Sequence, residues 1–213
     1  MCHYSLQVIL GGWLTLVCIL LTGCNSASDN RETVHKVGSW QKVIVKDKKG
    51  NRIVKFIWNE QQVLIQTPEK LWQSKDSIAL IERPTKIYQT PANTPLIETN
   101  VKGLDILAKT ISPPFSQWRL RFVGDTMQVF KANQHPPAYW VVQYKLNKYR
   151  VYQAGNEVGK TKITNGIVDV DGVGIDLKIP TPTNSYAYTL LMMYQIPKII
   201  RCSLMAELLL KQL

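Results

Sequence analysis

Three carboxylates crowd one short stretch of this 213-residue chain: Asp169, Asp171 and Asp176, separated only by valine, glycine and isoleucine. Carboxylates two apart on a strand share a face, and beside a glycine turn such a set can ligate calcium. The run lacks the third early ligand and the closing glutamate of an EF-hand loop, and hairpin-turn chemistry explains Asp171-Gly172 without a metal. Paired carboxylates also act as general acid and base on glycosidic bonds. Glu157, Asp169 and Asp171 are therefore the residues of a polysaccharide-acting enzyme, provided the fold sets two of them across a cleft. Beyond residue 24 the histidines are His35 and His135, neither with a Cys, Asp or second His at ligand spacing. No serine sits in a nucleophile-elbow context and no glycine-rich loop precedes a helix, so no cofactor is implied.

Cys24 bears chemistry of another kind. Leu21-Thr22-Gly23-Cys24 closes an apolar run over residues 6–21, broken only by Gln7, Gly11, Gly12 and Thr15. The run is slightly longer than a usual signal core of ~7–15 residues and shorter than the ~20 that span a bilayer comfortably. A secretory signal ends on small residues just before the cut, and here a cysteine follows the cut. The tetrapeptide resembles the lipobox of bacterial lipoproteins: leucine, a small hydroxyl residue, glycine, then cysteine. That resemblance implies cleavage between Gly23 and Cys24 and a diacylglyceryl group on the Cys24 thiol. It also implies a membrane-anchored protein of the cell envelope, on the periplasmic or outer-membrane side where there are two membranes. Residues 1–5 carry no Lys or Arg, whereas such signals normally begin with positive charge. The alternative is an uncleaved N-terminal membrane helix. Cleavage would remove Cys2 and Cys18 and lipid would occupy Cys24, leaving Cys202 as a small buried hydrophobe. A Cys24–Cys202 disulfide is open only if Cys24 is not acylated.

No Lys, Arg, Asp or Glu precedes residue 24, so the formal charge of +11 belongs wholly to the remainder. A field of that sign attracts anions. For an anchored envelope protein these are lipid head groups and envelope polymers; nucleic acid is the cytoplasmic counterpart and the least favoured partner. The candidate surface for an anionic ligand is Arg119, Arg121, Lys145, Lys148 and Arg150, against the plainer reading of a solvated strand face. Aromatics interleave with the last three over residues 139–152. On one face they would be a stacking platform for sugar or single-stranded nucleic acid; otherwise they are cross-strand packing. The expected role is a non-enzymatic binding or structural module held at a membrane.

The elements that position these residues are mainly β. Residues 1–23 read as a signal, 24–39 as a lipidated N-terminus and polar tether, and 40–213 as one β-rich domain. Residues 43–45 and 53–58 flank the turn at 47–51, and 63–65 and 78–81 add short strands. Pro84, Pro91, Pro95, Pro113 and Pro114 predict a looser middle. Strands at 118–122, 127–130, 139–144, 149–152, 158–163 and 175–179 follow, with turns at Gly124-Asp125, Ala154-Gly155, Asn165-Gly166 and Asp171-Gly172. Ser185 caps a helix over 186–194, and Pro197 opens a second over 198–211 in which Glu207 and Lys211 are spaced to pair. Three charges and Pro197 make residues 186–210 a poor membrane span. The expected class is α+β but mainly β: an antiparallel meander forming a barrel or sandwich, packed on or around hydrophobic C-terminal helices. This order of elements is similar to the tubby/LURP-one type of barrel, in which a β-barrel wraps a C-terminal helix and several members bind anionic lipid. No binding residue carries over.

Overall fold

Alternation decides this fold. The strand Gln117–Val123 buries Trp118, Leu120 and Phe122 and turns Arg119, Arg121 and Val123 outward. A strand with one apolar face has to close over something apolar. The computed structural model describes residues 39–59, 62–76, 85–131, 137–181 and 184–213. The described residues belong to one compact unit, Val37–Leu213. Gly23, Cys24, His35, His135 and the strand expected at 78–81 lie outside the described residues.

Among the described residues, fourteen strands form one sheet in chain order. They are β1 Gln41–Lys46, β2 Arg52–Trp58, β3 Val63–Gln66, β4 Leu71–Asp76, β5 Thr85–Gln89, β6 Pro95–Lys102 and β7 Asp105–Thr110. The second half is β8 Gln117–Val123, β9 Thr126–Lys131, β10 Trp140–Lys145, β11 Lys148–Gln153, β12 Asn156–Thr164, β13 Ile167–Gly172 and β14 Ile175–Pro180. Every ladder is antiparallel and joins sequence neighbours, and β14 comes back against β1, so the sheet is a nearly closed barrel. Lys48 Nζ reaches Asp176 Oδ2 at 2.8 Å across the seam.

The interior is filled by the C-terminal segment, a 3-10 helix over Tyr186–Met192 and then α1, Lys198–Leu210. All seven residues of the 3-10 helix are buried, against β11, β12 and β13, while α1 packs on β2, β3, β6 and β7. Ser185 caps as expected, its Oγ accepting from Ala187 N at 3.0 Å. The helix predicted over 186–194 is instead a tighter 3-10 turn ending at Met192. Thr189 Oγ1 donates to the Tyr186 carbonyl at 2.7 Å, the local side-chain-to-backbone bond that competes with a regular α-helix.

Two other expectations change. The proline-rich middle is an ordered hairpin, β6 and β7, because Pro95 only begins a strand while Pro91, Pro113 and Pro114 stay in the connections. Asp171-Gly172 is no turn: both residues belong to β13, and the chain reverses at Val173-Gly174, where Gly174 has φ 74°. Gly172 is small for packing. A Cβ there would lie 2.7 Å from Met192 Sδ. Its ladder partner is Gly159, and the glycine pair lets the 3-10 helix settle onto the sheet.

A strict meander sorts its turns between two ends. The end at which β1 begins collects the β6–β7, β8–β9, β10–β11 and β12–β13 turns, and is called the entry end below. The far end collects the β1–β2, β7–β8, β11–β12 and β13–β14 turns.

Candidate functional site

Arg119 and Arg121 project from the outer face of β8 toward one carboxylate on β7. Arg119 Nε donates to Asp105 Oδ1 at 2.7 Å, and Arg121 Nε lies 3.8 Å from Asp105 Oδ2. The hydrogen bond to Asp105 raises the Arg119 pKa further. Arg121 also sits over the Phe130 ring, 5.8 Å from its centroid. Arg150 on β11 bonds Glu157 Oε2 at 2.7 Å. Each of these three cations therefore has a carboxylate partner, the two on β8 sharing one.

Lys145 and Lys148 have none among the described residues. They face each other across the β10–β11 ladder, and the register continues through Lys162 on β12, Asp169 on β13 and Lys178 on β14. Four lysines and one aspartate thus line up across five strands on the outer face. Among the described residues, no carboxylate lies within ion-pair distance of Lys145, Lys148 or Lys162. The adjoining row of Gln143, Arg150, Lys160, Asp171 and Asp176 is neutralised: Lys160 pairs with Asp171 at 3.1 Å, and Asp176 with Lys48. The five residues expected to form one surface divide between a group paired to carboxylates and an unpaired row, and Lys162 and Lys178 extend that row. Alternation alone turns both outward, but only the register sets them beside Lys148.

The interleaved aromatics mostly face the other way. Tyr149 packs on Tyr144 and Tyr186, with centroids 4.8 and 4.4 Å apart, and Trp140 lies 5.6 Å from Trp118. Burial pushes the Tyr149 phenol far above its ordinary pKa and that of Tyr186 to about 12. Aromatics and cations thus occupy opposite faces of these strands. Tyr139 and Tyr152 instead line a shallow outer groove of about 810 Å³ with Gln143 and Gln153.

Glu157, Asp169 and Asp171 all stand on the outer sheet face, the first and third in ion pairs. Two carboxylates, Asp47 and Asp176, share a cleft of about 840 Å³ at the seam. Asp47 accepts from Asn51 Nδ2 at 2.9 Å, Asn51 N at 2.8 Å and Lys49 N at 2.9 Å, which hold its carboxyl below the usual range. Lys48 does the same for Asp176. Groups so held as anions are poor proton donors near neutral pH.

At the entry end a cavity of about 400 Å³ is lined by Ser39, Trp58, Lys86, Glu207 and Lys211. Glu207 is 1% exposed. It accepts from Thr99 Oγ1 at 2.7 Å, Tyr88 Oη at 2.9 Å and Lys86 Nζ at 3.3 Å. The pairing expected with Lys211 gives way to this inward arrangement, because α1 lies inside the barrel and presents Glu207 to β5 and β6. The sequence reading missed this cluster. Its signal was a lone glutamate set among Leu204, Met205, Leu208 and Leu209.

Among the described residues, no three His, Cys, Asp or Glu side chains are placed to hold a metal, and no helix is long and apolar enough to cross a membrane. Cys202 is buried, with its thiol pushed up to about 11 by burial. No protein-family model matches the chain, and neither the curated proteins nor the solved structures contain a match to it.

Proposed function

We propose that the chain is a cell-envelope lipoprotein, cut behind Gly23 and acylated on Cys24, whose barrel is a non-enzymatic binding or structural module for anionic ligands. One observation carries the reading: the apolar run that ends in Leu21-Thr22-Gly23-Cys24, with all formal charge after it. The row that holds Lys145, Lys148 and Lys162 supports it, since cations with no carboxylate in ion-pair distance among the described residues are free to meet phosphate or carboxylate from outside. A barrel filled by its own helices supports a binding role on the surface rather than a catalytic one inside. Anionic lipid head groups and envelope polymers are the nearest ligands of that charge to an anchored protein.

Metabolic labelling with a palmitate analogue tests the anchor. The wild-type chain incorporates label and Cys24→Ser does not; equal labelling of the two would end the lipoprotein reading. Mass spectrometry of the mature protein should begin at residue 24.

A further inference from the structure

The entry end carries exposed apolar side chains at its turns. Leu104, Val123 and Leu146 occupy or flank the tips of the β6–β7, β8–β9 and β10–β11 hairpins and are 53%, 59% and 79% exposed. Ile167 stands beside the next tip, and Trp40 directly precedes β1. These tips are tied side by side. The Leu104 carbonyl accepts from Phe122 N at 3.1 Å, and the Asp125 carbonyl accepts from Tyr144 N at 3.0 Å. The apolar groups therefore form a rim rather than scattered points.

Leu146 is the least expected of them. It sits at φ 54°, followed by Asn147 at φ 58°. Two successive positive φ values belong to a type I′ turn, where Asn, Asp and Gly are preferred and a bulky side chain is strained. The fold gains nothing from leucine at this position, because the side chain touches mainly solvent. Strain held at an exposed tip points outward, to something that the tip meets.

Charge and connectivity identify that partner. Lys145 and Lys148 flank Leu146, and the row they begin runs around the barrel just behind the tips. Fourteen residues lie between Cys24 and Ser39, just before β1, so even a fully extended chain keeps this end within roughly 50 Å of the anchor. Aliphatic tips, an interfacial tryptophan and lysines behind them match the layers of an anionic bilayer surface: acyl boundary, then phosphate. The far end also exposes Phe115, Val173 and Tyr194. There Lys48 and Lys198 are held by Asp176 and Glu69, while Lys46 and Lys131 are in no ion pair among the described residues but form no ladder row like that of Lys145, Lys148 and Lys162. The deciding difference is that the chain from Cys24 enters at the other end.

We propose that the entry-end rim of Leu104, Val123 and Leu146 docks onto an anionic phospholipid bilayer, with Lys145 and Lys148 against the phosphates. The barrel then stands end-on at the membrane rather than drifting on its tether. This rests on the lipoprotein reading for its biological setting, but the contact itself needs no acyl group.

The test uses the chain from residue 24 carrying Cys24→Ser and follows its flotation with vesicles. Vesicles of phosphatidylcholine with phosphatidylglycerol should float it, and pure phosphatidylcholine should float it far less. The triple variant Leu104→Ser, Val123→Thr, Leu146→Asn should bind at least about tenfold more weakly. Lys145→Gln with Lys148→Gln should lose most of the preference for phosphatidylglycerol. Leu146→Asn alone places a favoured residue in the turn, so its melting temperature should hold or rise while its binding falls; that separates docking from misfolding. No flotation with either vesicle, unchanged binding of the triple variant, or a greater loss from Phe115→Ser with Tyr194→Ser would overturn the proposal. Because the protein is unacylated, flotation of this chain with failed palmitate labelling in cells would sink the lipoprotein reading and leave the docking surface standing.

Discussion

Glu207 is an anion that the fold has taken out of water and surrounded with donors from two strands. Removing a carboxylate from water is costly, and the Lys86 ammonium with the Tyr88 and Thr99 hydroxyls offsets that cost only while all are in place. Glu207→Ala should lower stability by about 3–5 kcal/mol, because it takes the acceptor from the partly buried Lys86 ammonium and the buried Thr99 hydroxyl. Glu207→Gln should lose less, as its amide oxygen still accepts from Thr99. Denaturant melts of the two variants check this, and a loss under ~1 kcal/mol for the alanine variant would show that the cluster relaxes into water. At this scale the sequence was only half legible. Spacing on a helix finds Glu207 and Lys211 as neighbours, but it does not say which side of the helix the sheet will cover.

Among the elements, turns were the most legible feature and register the least. Asn165-Gly166 has positive φ at both positions, as a type I′ turn requires and as Asn-Gly favours, and Ala154-Gly155 adopts the same geometry although only its glycine suits it. Asp171-Gly172 misleads because glycine serves two ends, backbone freedom and close approach, and here the second governs. Replacing it checks the point: Gly172→Ala should cost about 1–3 kcal/mol by driving a methyl into Met192. Met192→Ala in the same chain should recover part of that loss, since contacting sites are not additive. Strict additivity in thermal melts would place the strain elsewhere. The lysine row illustrates the limit from another side. Lys145, Lys148 and Lys162 were visible as charges, and alternation turned them outward. Their alignment depends on the β10–β11 and β11–β12 registers, the second carrying an irregularity between Val151 and Tyr152 that no residue type announces.

For the molecule as a whole, the mainly β class and the interior place of the C-terminal helices followed from one argument. Residues 186–210 are too apolar for a surface and too charged for a bilayer, so the strands had to cover them. Leu190, Ile200, Leu204, Met205 and Leu208 are all fully buried. A chain ended after residue 182 should therefore expose the inner sheet face and aggregate. Analytical ultracentrifugation and calorimetry decide: a monomer with a cooperative melt would make the helices peripheral. The compartment stood outside what packing can express, resting instead on the few residues before Cys24.

The neighbour-only ladder has a consequence for assembly. A chain delivered N-terminus first can close its hairpins one after another, with no long-range pairing to wait for until β14 meets β1. What those hairpins must enclose, residues 186–210, follows every one of them in the sequence. At about 5–20 residues per second, residues 186–210 take roughly one to five seconds to arrive. For that interval the sheet is a lining without a filling. The order of synthesis runs against the order of packing, and the hazard of misassembly is concentrated between the last strand and the helices that follow it.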